Sequence, residues 1–264
     1  ERLGLTRAAA HAFGDDRRSA SVQHDMRSLL AQRIYGLCLG WSDVCDHNVL
    51  RRDLVMQTAV GRAEPLASAP TLSRLETAAT PEHAAALHEV LMQQFIASHA
   101  KPPRELVLDV DATHVPLHGE QERGHFHAYY DNYCYLPLYI FCGDQVLAVR
   151  LREANQDASA GSLTEVQRIA ARLRNRWPKV KIVLRADSGF CREELLRWCE
   201  DNHVDYVFSL ARNDRLRRRI AKAMRRAKAQ AKRTGRPARI FTEFRYRTRE
   251  SWSRARRVVA KAEQ

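Results

Sequence analysis

The sequence predicts an α/β chain: a helical N-terminal region, then a mixed sheet whose elements run β-β-β-α-β-α-β-α, then the start of a β-rich stretch. Three observations predict it. Apolar residues recur at helical spacing over the first hundred positions, "KPPRE" at Lys101 breaks that pattern with two prolines, and beyond it short apolar runs alternate with amphipathic stretches. The divisions fall at 1–100, 101–236 and 237–264.

In the first region "HDMRSLLAQRIYGLCLGWSD" reads as a helix, and "TPEHAAALHEVLMQQFIASHA" as a second, with Thr80 as N-cap and Pro81 in the first turn. Between them "GRAEPLASAPTLSRLE" is a connector whose end opens a short helix. "ELVLDVD" is then a buried strand, followed by a polar loop. "YCYLPLYIFC" and "QVLAVRLR", separated by the turn signal "GD", are the next two strands. "SLTEVQRIAARLRNRW" begins with Ser162 and Glu165 in capping-box spacing and is a helix. "VKIVLRAD" is a strand, "FCREELLRWCEDN" a helix, "VDYVFSLA" a strand, and Arg212 to Arg236 a long helix.

Net charge is +13 with a pI near 9.9. The excess is uneven: residues 212–236 hold twelve Lys or Arg against one Asp, a pattern suited to an anionic partner or to a solvated face, with charges all around the helix. No run is long and apolar enough to span a bilayer and no signal-peptide pattern is visible, so a soluble, cytoplasmic chain with no membrane partner is expected. The sequence starts at Glu1 and not Met, which weakens any argument about targeting from that end. The six cysteines form no CxxC and mostly sit in apolar runs, as expected of small buried hydrophobes in a reducing compartment. His114, His118, His125 and His127 crowd one loop without a helical HExxH or a cysteine pair, so polar loop histidines are expected over zinc.

The chemistry is sharpest where strands end. "ELVLDVDATHVPLHG" stops on Asp109 and Asp111, which strand alternation puts on one face, and "KIVLRADSGF" stops on Asp187. Each aspartate alone has an explanation as a turn cap. Two at the carboxyl ends of strands in an α/β sheet, where ligands gather, favour a shared cation site if the strands are neighbours.

The stretches "LDVDATHVPLHG", "GHFHAYYDNYCYLPLYIFCGDQVLAVRLREANQDASAG" and "VLRADSGFCREELLRWCEDNHVDYVFSLARN" resemble DDE-type bacterial insertion-sequence transposases of the group with "DATxxPLHG" and "RADSGF" signatures, over roughly residues 104 to 214. The resemblance implies an RNase H-like core in which Asp111 and Asp187 are the first two catalytic carboxylates, binding two Mg2+ ions for which Mn2+ substitutes. Asp109 would be a supporting residue. It further implies cleavage and strand transfer of transposon ends, with terminal inverted repeats and target DNA as partners and a homodimer assembled on them at the nucleoid. Arg212, Arg217, Arg218, Arg225 and Arg226 of the basic helix, with Arg245, Arg247 and Arg249 of a strand, are expected on DNA phosphates. Trp252 or Tyr246 is expected to stack on an unpaired base.

The family's third carboxylate belongs on a helix beyond a β-rich insertion. "RIFTEFRYRTRESWSRARRVVAKAEQ" looks like the start of that insertion, and Glu194, Glu243 and Glu250 are poor substitutes, so the third carboxylate is expected outside this chain and the chain alone is expected to be inactive. Two other readings remain: a catalytically incomplete DNA-binding fragment or decayed transposase of the same fold, and a nuclease unrelated to transposition.

Overall fold

Two prolines end the helical pattern, because neither has an N–H to continue it, and the chain divides between them into two compact units, Glu1–Pro102 and Pro103–Gln264. The computed structural model describes residues 3–17 and 22–264; Glu1 lies outside them.

The first unit is helical: α1 (Leu5–Phe13), α2 (Met26–Cys38), α3 (His47–Leu50), α4 (Leu54–Val60), α5 (Ala69–Thr77) and α6 (Pro81–Ala97). Thr80 caps α6 as expected, and the reciprocal bond comes from His83, whose Nδ1 accepts the Thr80 N–H at 3.0 Å. The two short helices α3 and α4 were not predicted, since four- and seven-residue segments carry too few turns for a periodic signal. A polar tie sits in the core. Buried Gln32 donates to the Ala67 carbonyl at 2.9 Å and accepts the Ala67 N–H at 3.0 Å, and it also contacts Nδ1 of fully buried His47 at 3.2 Å. The His47 ring lies so close to Gly36 that a Cβ there would meet it at 2.7 Å, so only glycine fits.

The second unit holds β1 (Glu105–Ala112), β2 (Val115–Pro116), β3 (His125–His127), β4 (Asn132–Tyr135), β5 (Leu138–Cys142), β6 (Gln145–Arg150), α7 (Ser162–Arg176), β7 (Lys181–Ala186), α8 (Glu193–Asp201), β8 (Asp205–Phe208), α9 (Asp214–Thr234), β9 (Arg239–Tyr246) and β10 (Arg256–Glu263). A five-stranded mixed sheet runs β6-β5-β1-β7-β8, with β5 and β6 antiparallel and β7 and β8 parallel to their neighbours. Leu106, Leu108 and Val110 of β1, Ile140 of β5, and Ile182 and Leu184 of β7 are buried, as is the stripe Val166, Ile169, Ala170, Leu173 of α7.

Several local expectations change. "YCYLPLYIFC" is not one strand, because Pro137 has no N–H to give a ladder, and β4 and β5 enter different sheets on either side of it. β4 instead is the centre of a three-stranded sheet, β2-β4-β3, whose outer strands come from what reads in sequence as polar loop. The Ser162/Glu165 capping box does not form. Gly161 takes the cap position at φ 73°, so Ser162 lies inside the helix and its hydroxyl donates to the Ser159 carbonyl at 2.7 Å, while Glu165 pairs with Arg168 at 3.0 Å. The basic helix α9 is not charged all around: Ala223 and Ala227 are buried in a cluster with Ala262, Met224 and Ile240, against the β9–β10 hairpin. Of the free cysteines only Cys134 and Cys199 are buried; Cys38 and Cys45 are exposed.

The hairpin also corrects a role. Trp252 and Tyr246 are 4% and 6% exposed, packed edge to face at 5.9 Å in a cluster with Leu196, so neither offers a ring to a base in this structure. Their apolar area is the likeliest thing for a core to claim. Arg247 and Arg249 lie beyond the end of β9, in the turn toward Trp252. Arg247 Nε donates to the Trp252 carbonyl at 3.1 Å, and Arg245 donates to that of Ala255 at 2.6 Å.

Candidate active site

β1 alternates, with its even-numbered residues buried and Val107, Asp109 and Asp111 on the opposite face. Its parallel partner β7 sets Asp109 beside Arg185 and Val110 beside Ala186. The next residue on each strand is an aspartate. Asp111, the next residue of β1, and Asp187, the first residue after β7, therefore follow the last paired residues of two adjacent strands at the carboxyl edge of the sheet.

The three aspartates have different surroundings. Asp109 accepts a two-pronged bond from Arg185, Nε at 2.5 Å and Nη2 at 2.8 Å, so its charge is matched within the sheet. Asp187 Oδ1 accepts the Gly189 N–H at 2.7 Å, capping the turn Ser188–Phe190. A Cβ at Gly189 would stand 3.0 Å from that oxygen and 3.2 Å from Ala158 Cβ, which explains the glycine of "ADSGF". Asp111 Oδ1 accepts its neighbour's N–H, Ala112, at 2.8 Å. Neither Asp111 nor Asp187 forms an ion pair with a described residue. Two adjacent like charges without a counter-charge are costly, and a cation relieves that cost.

Beside the pair stands an aromatic group that the sequence reading passed over. Tyr130 stacks on His114 at 4.3 Å, meets His127 at 4.9 Å and Tyr129 edge-on at 5.0 Å. Burial raises the Tyr130 phenol, and negative neighbours, Asp111 and Asp187 among them, raise it further. The signal was present in "GHFHAYYDNY", but only the pairing of β3 with β4 brings its rings together.

Two of the loop histidines have polar partners, His114 with Asn132 at 2.9 Å and His125 with Glu153 at 3.1 Å, whereas the buried Nδ1 of His127 has none. Among the described residues no group of three or more His, Cys, Asp or Glu is arranged to hold a metal ion. The carboxylate pair nonetheless fits magnesium in its donor chemistry, since that ion takes hard oxygens, commonly one or two carboxylates completed by water and substrate phosphates.

Of the carboxylates weighed from the sequence, Glu194 lies in the first turn of α8 and Glu250 in the turn beyond β9. Glu243 pairs with Arg257 at 2.6 Å. Glu193 and Glu200 of α8 hold Arg256 of β10, itself 4% exposed along its side chain, at 2.7 and 2.8 Å, and Glu200 also takes Arg254 and the Tyr206 hydroxyl. Burial pushes Glu200 up, but bonds from Arg256, Tyr206 and Arg254 outweigh it and bring the group down to about 2. On α9, Arg217, Arg218, Arg225 and Arg226 are exposed, as is Arg212 just before it. No helix among the described residues is long and apolar enough to cross a membrane.

Among solved structures, the chain is similar to the piggyBac transposase in a synaptic complex with hairpin DNA, at 10% identity over 98% of this chain and 57% of that one, with a TM-score of 0.41. It is also similar to the Drosophila P element transposase in a strand transfer complex (12%, 67% and 44%, TM-score 0.31) and to the Mos1 transposase in a paired-end complex with the left transposon end (10%, 76% and 70%, TM-score 0.27). The chain thus spans about half the length of the first two. None of the curated proteins matches it. The family model of the transposase DDE domain, group 1, matches residues 1–264, and the chain belongs to that family.

Proposed function

We propose that the second unit is the RNase H-like catalytic core of an insertion-sequence transposase, which cleaves transposon ends and transfers them to target DNA. The observation that carries the reading is the contrast along one sheet face: Asp109 has a guanidinium, whereas Asp111 and Asp187, two residues further along their chains, pair with none among the described residues. Family membership supports DNA recombination as the setting.

In this reading Asp111 and Asp187 hold divalent metal, Mg2+ in the cell and Mn2+ as a substitute. Two such ions, when bound, activate the attacking water or 3′-hydroxyl and stabilise the leaving oxygen. Arg185 keeps Asp109 occupied, so that the charge facing the metal is that of the outer pair. The exposed arginines of α9 hold DNA phosphates and set its position without reading its sequence. The second ion needs a further carboxylate. Glu193, Glu200 and Glu243 are bonded to arginines, and among the described residues no third Asp, Glu, His or Cys completes a metal-holding group with the pair, so the reading assigns that role to no residue within 1–264. The protein acts as a homodimer on terminal inverted repeats, in the cytoplasm where the chromosome lies.

The test is Mn2+ binding in the presence of duplex DNA, followed by electron paramagnetic resonance, for the chain and its Asp111→Asn and Asp187→Asn variants. Loss of the bound signal in both variants is expected; undiminished binding in both overturns the assignment. Cleavage is then compared between this chain and one carrying a further glutamate-bearing helix. Activity only in the longer chain fits the reading. Inactivity of both favours the second reading, a DNA-binding protein without catalysis, which the absence of a third free carboxylate at the pair makes specific.

A further inference from the structure

Two strands of the small sheet β2-β4-β3, β2 and β3, were expected to be loop, and the outward rings of the sheet are bare. Phe126 and Tyr133 face each other across β3 and β4, with rings 5.7 Å apart, and are 52% and 61% exposed. At the turn between those strands Tyr129 is 84% exposed, and its ring meets only the edge of Tyr130. Tyr130 in turn is held by His114, which Asn132 fixes through its ring nitrogen. The turn is rigidly formed: Asp131 takes φ 54°, and the Tyr130 and Asp131 N–H groups both donate to the His127 carbonyl, at 3.1 and 2.9 Å. Exposed aromatics on a formed turn make a platform, and its inner member Tyr130 packs on the same cluster as Ala112, the residue after Asp111, which sets the platform near the carboxylates.

What can occupy it follows from charge. The field beside two unmatched carboxylates repels a phosphate that no cation shields, whereas a neutral heterocycle gains from lying on an aromatic ring. Around the platform Arg123 pairs with Glu153, which is also bonded to His125, while Asp131 in the turn and Glu120 and Glu122 in the preceding loop are exposed carboxylates that add to the repulsion of a phosphate. We propose that Tyr129, backed by the Tyr130–His114 stack, receives an unpaired nucleobase of the DNA strand next to the phosphate at the carboxylate pair, and that Phe126 and Tyr133 continue the track along the strand. This rests on the proposed function for its location but not for its measurement. It moves base stacking from buried Trp252 to a surface that a base can reach, and it makes the small sheet a positioning device for single-stranded DNA.

The experiment uses the whole chain and two DNA probes, a blunt duplex and the same duplex with a short single-stranded overhang containing 2-aminopurine, in Ca2+ so that no cleavage intervenes. The wild-type chain should quench the overhang fluorophore and bind the overhang probe more tightly than the blunt one. Tyr129→Ala should abolish the quenching and weaken overhang binding on the order of tenfold, while blunt-duplex affinity is unchanged. Tyr129→Trp should restore both. The side chain is exposed, so the variant leaves the core intact, and circular dichroism checks this. Equal quenching by wild type and Tyr129→Ala overturns the proposal. So does a change confined to self-association in sedimentation, which would make the surface a contact with another copy of this chain. Failure of the carboxylate assignment is separable: Asp111→Asn would then keep its metal binding, whatever the fluorophore does.

Discussion

Two pairs of carboxylates in the second unit differ in one respect. Glu193 and Glu200, two turns apart on α8, enclose the side chain of Arg256, and Glu200 binds Arg254 as well; Asp111 and Asp187 stand at the sheet edge with no Lys or Arg partner among the described residues. In the first pair the charges are matched within the protein, and the result ties the β9–β10 hairpin to α8. In the second the protein gathers like charge and leaves it for something else to match. Acidic residues in a strongly basic chain are therefore not equivalent, and the partner of each tells structure from chemistry.

The largest expected effect separates the pairs directly. Arg256→Met removes a buried guanidinium and leaves two glutamates facing a thioether. Loss of one member of a buried ion cluster costs about 3–5 kcal/mol; because the glutamates are a fifth to a quarter exposed, about 2–4 kcal/mol is expected. Asp111→Asn and Asp187→Asn should cost nothing measurable in the same urea titration, because they relieve repulsion. Equal destabilisation by the two kinds of change would mean that Asp111 and Asp187 are structural too.

The difference between the pairs also explains what the sequence could disclose. Strand-end aspartates were legible because alternation and the turn residues after Asp187 are local, and so were the strands that carry them. Arg256 was not, since its partners lie 56 and 63 residues away and nothing local distinguishes it from Arg254 or Arg257. The same limit hid the Asp109–Arg185 pair, 76 residues apart, and the platform of Tyr129 and Tyr130. Trp252 was misread for a related reason: aromatic and arginine alternate along the chain there, but burial is decided by the packing of the hairpin on α8 and β8.

Acid should sharpen the contrast. Glu200 is depressed from 4.5 to about 2 in the folded chain. A depressed carboxylate contributes stability that is present above its unfolded value and is lost as pH falls through the folded one, so the loss belongs between about pH 4.5 and pH 2. The amount is on the order of 2–3 kcal/mol after allowance for partial exposure. In Arg256→Met this acid limb should shrink, since only Arg254 and Tyr206 remain to lower Glu200. In Asp187→Asn it should be unchanged. Urea midpoints across that pH range measure both.

The basic helix gives a smaller, graded effect. Ala223 and Ala227 turn one side of α9 to the hairpin, so Arg217, Arg218, Arg225 and Arg226 are exposed to meet a polyanion, Arg217 beside Asp214 at 3.5 Å. Replacing each by Gln should flatten the dependence of log affinity on log salt by about one unit per lost phosphate contact, with stability within about 0.5 kcal/mol of the parent. Fluorescence anisotropy at several salt concentrations reads the slope. An unchanged slope for all four would assign them to another partner.

The smallest expected effect lies between the two pairs. Asp109 shares the face of Asp111 and Asp187 but is matched as the glutamates are, by Arg185, in a pair whose side chains are 32% and 62% exposed. An exposed pair of this kind contributes less than about 1 kcal/mol, so Asp109→Asn should barely change the urea midpoint. Its consequence should appear two residues further on. Arg185 precedes Asp187 by two positions on the same strand and so shares its face, where a released guanidinium is long enough to turn toward the outer carboxylates. It would then compete with metal, and Mn2+ affinity in the presence of DNA should fall several-fold. The double change Asp109→Asn with Arg185→Gln removes the competitor and should bring affinity back. If Asp109→Asn leaves metal binding as it was, Arg185 does not hold the inner carboxylate apart from the outer pair, and the contrast along the sheet face is one of stability alone.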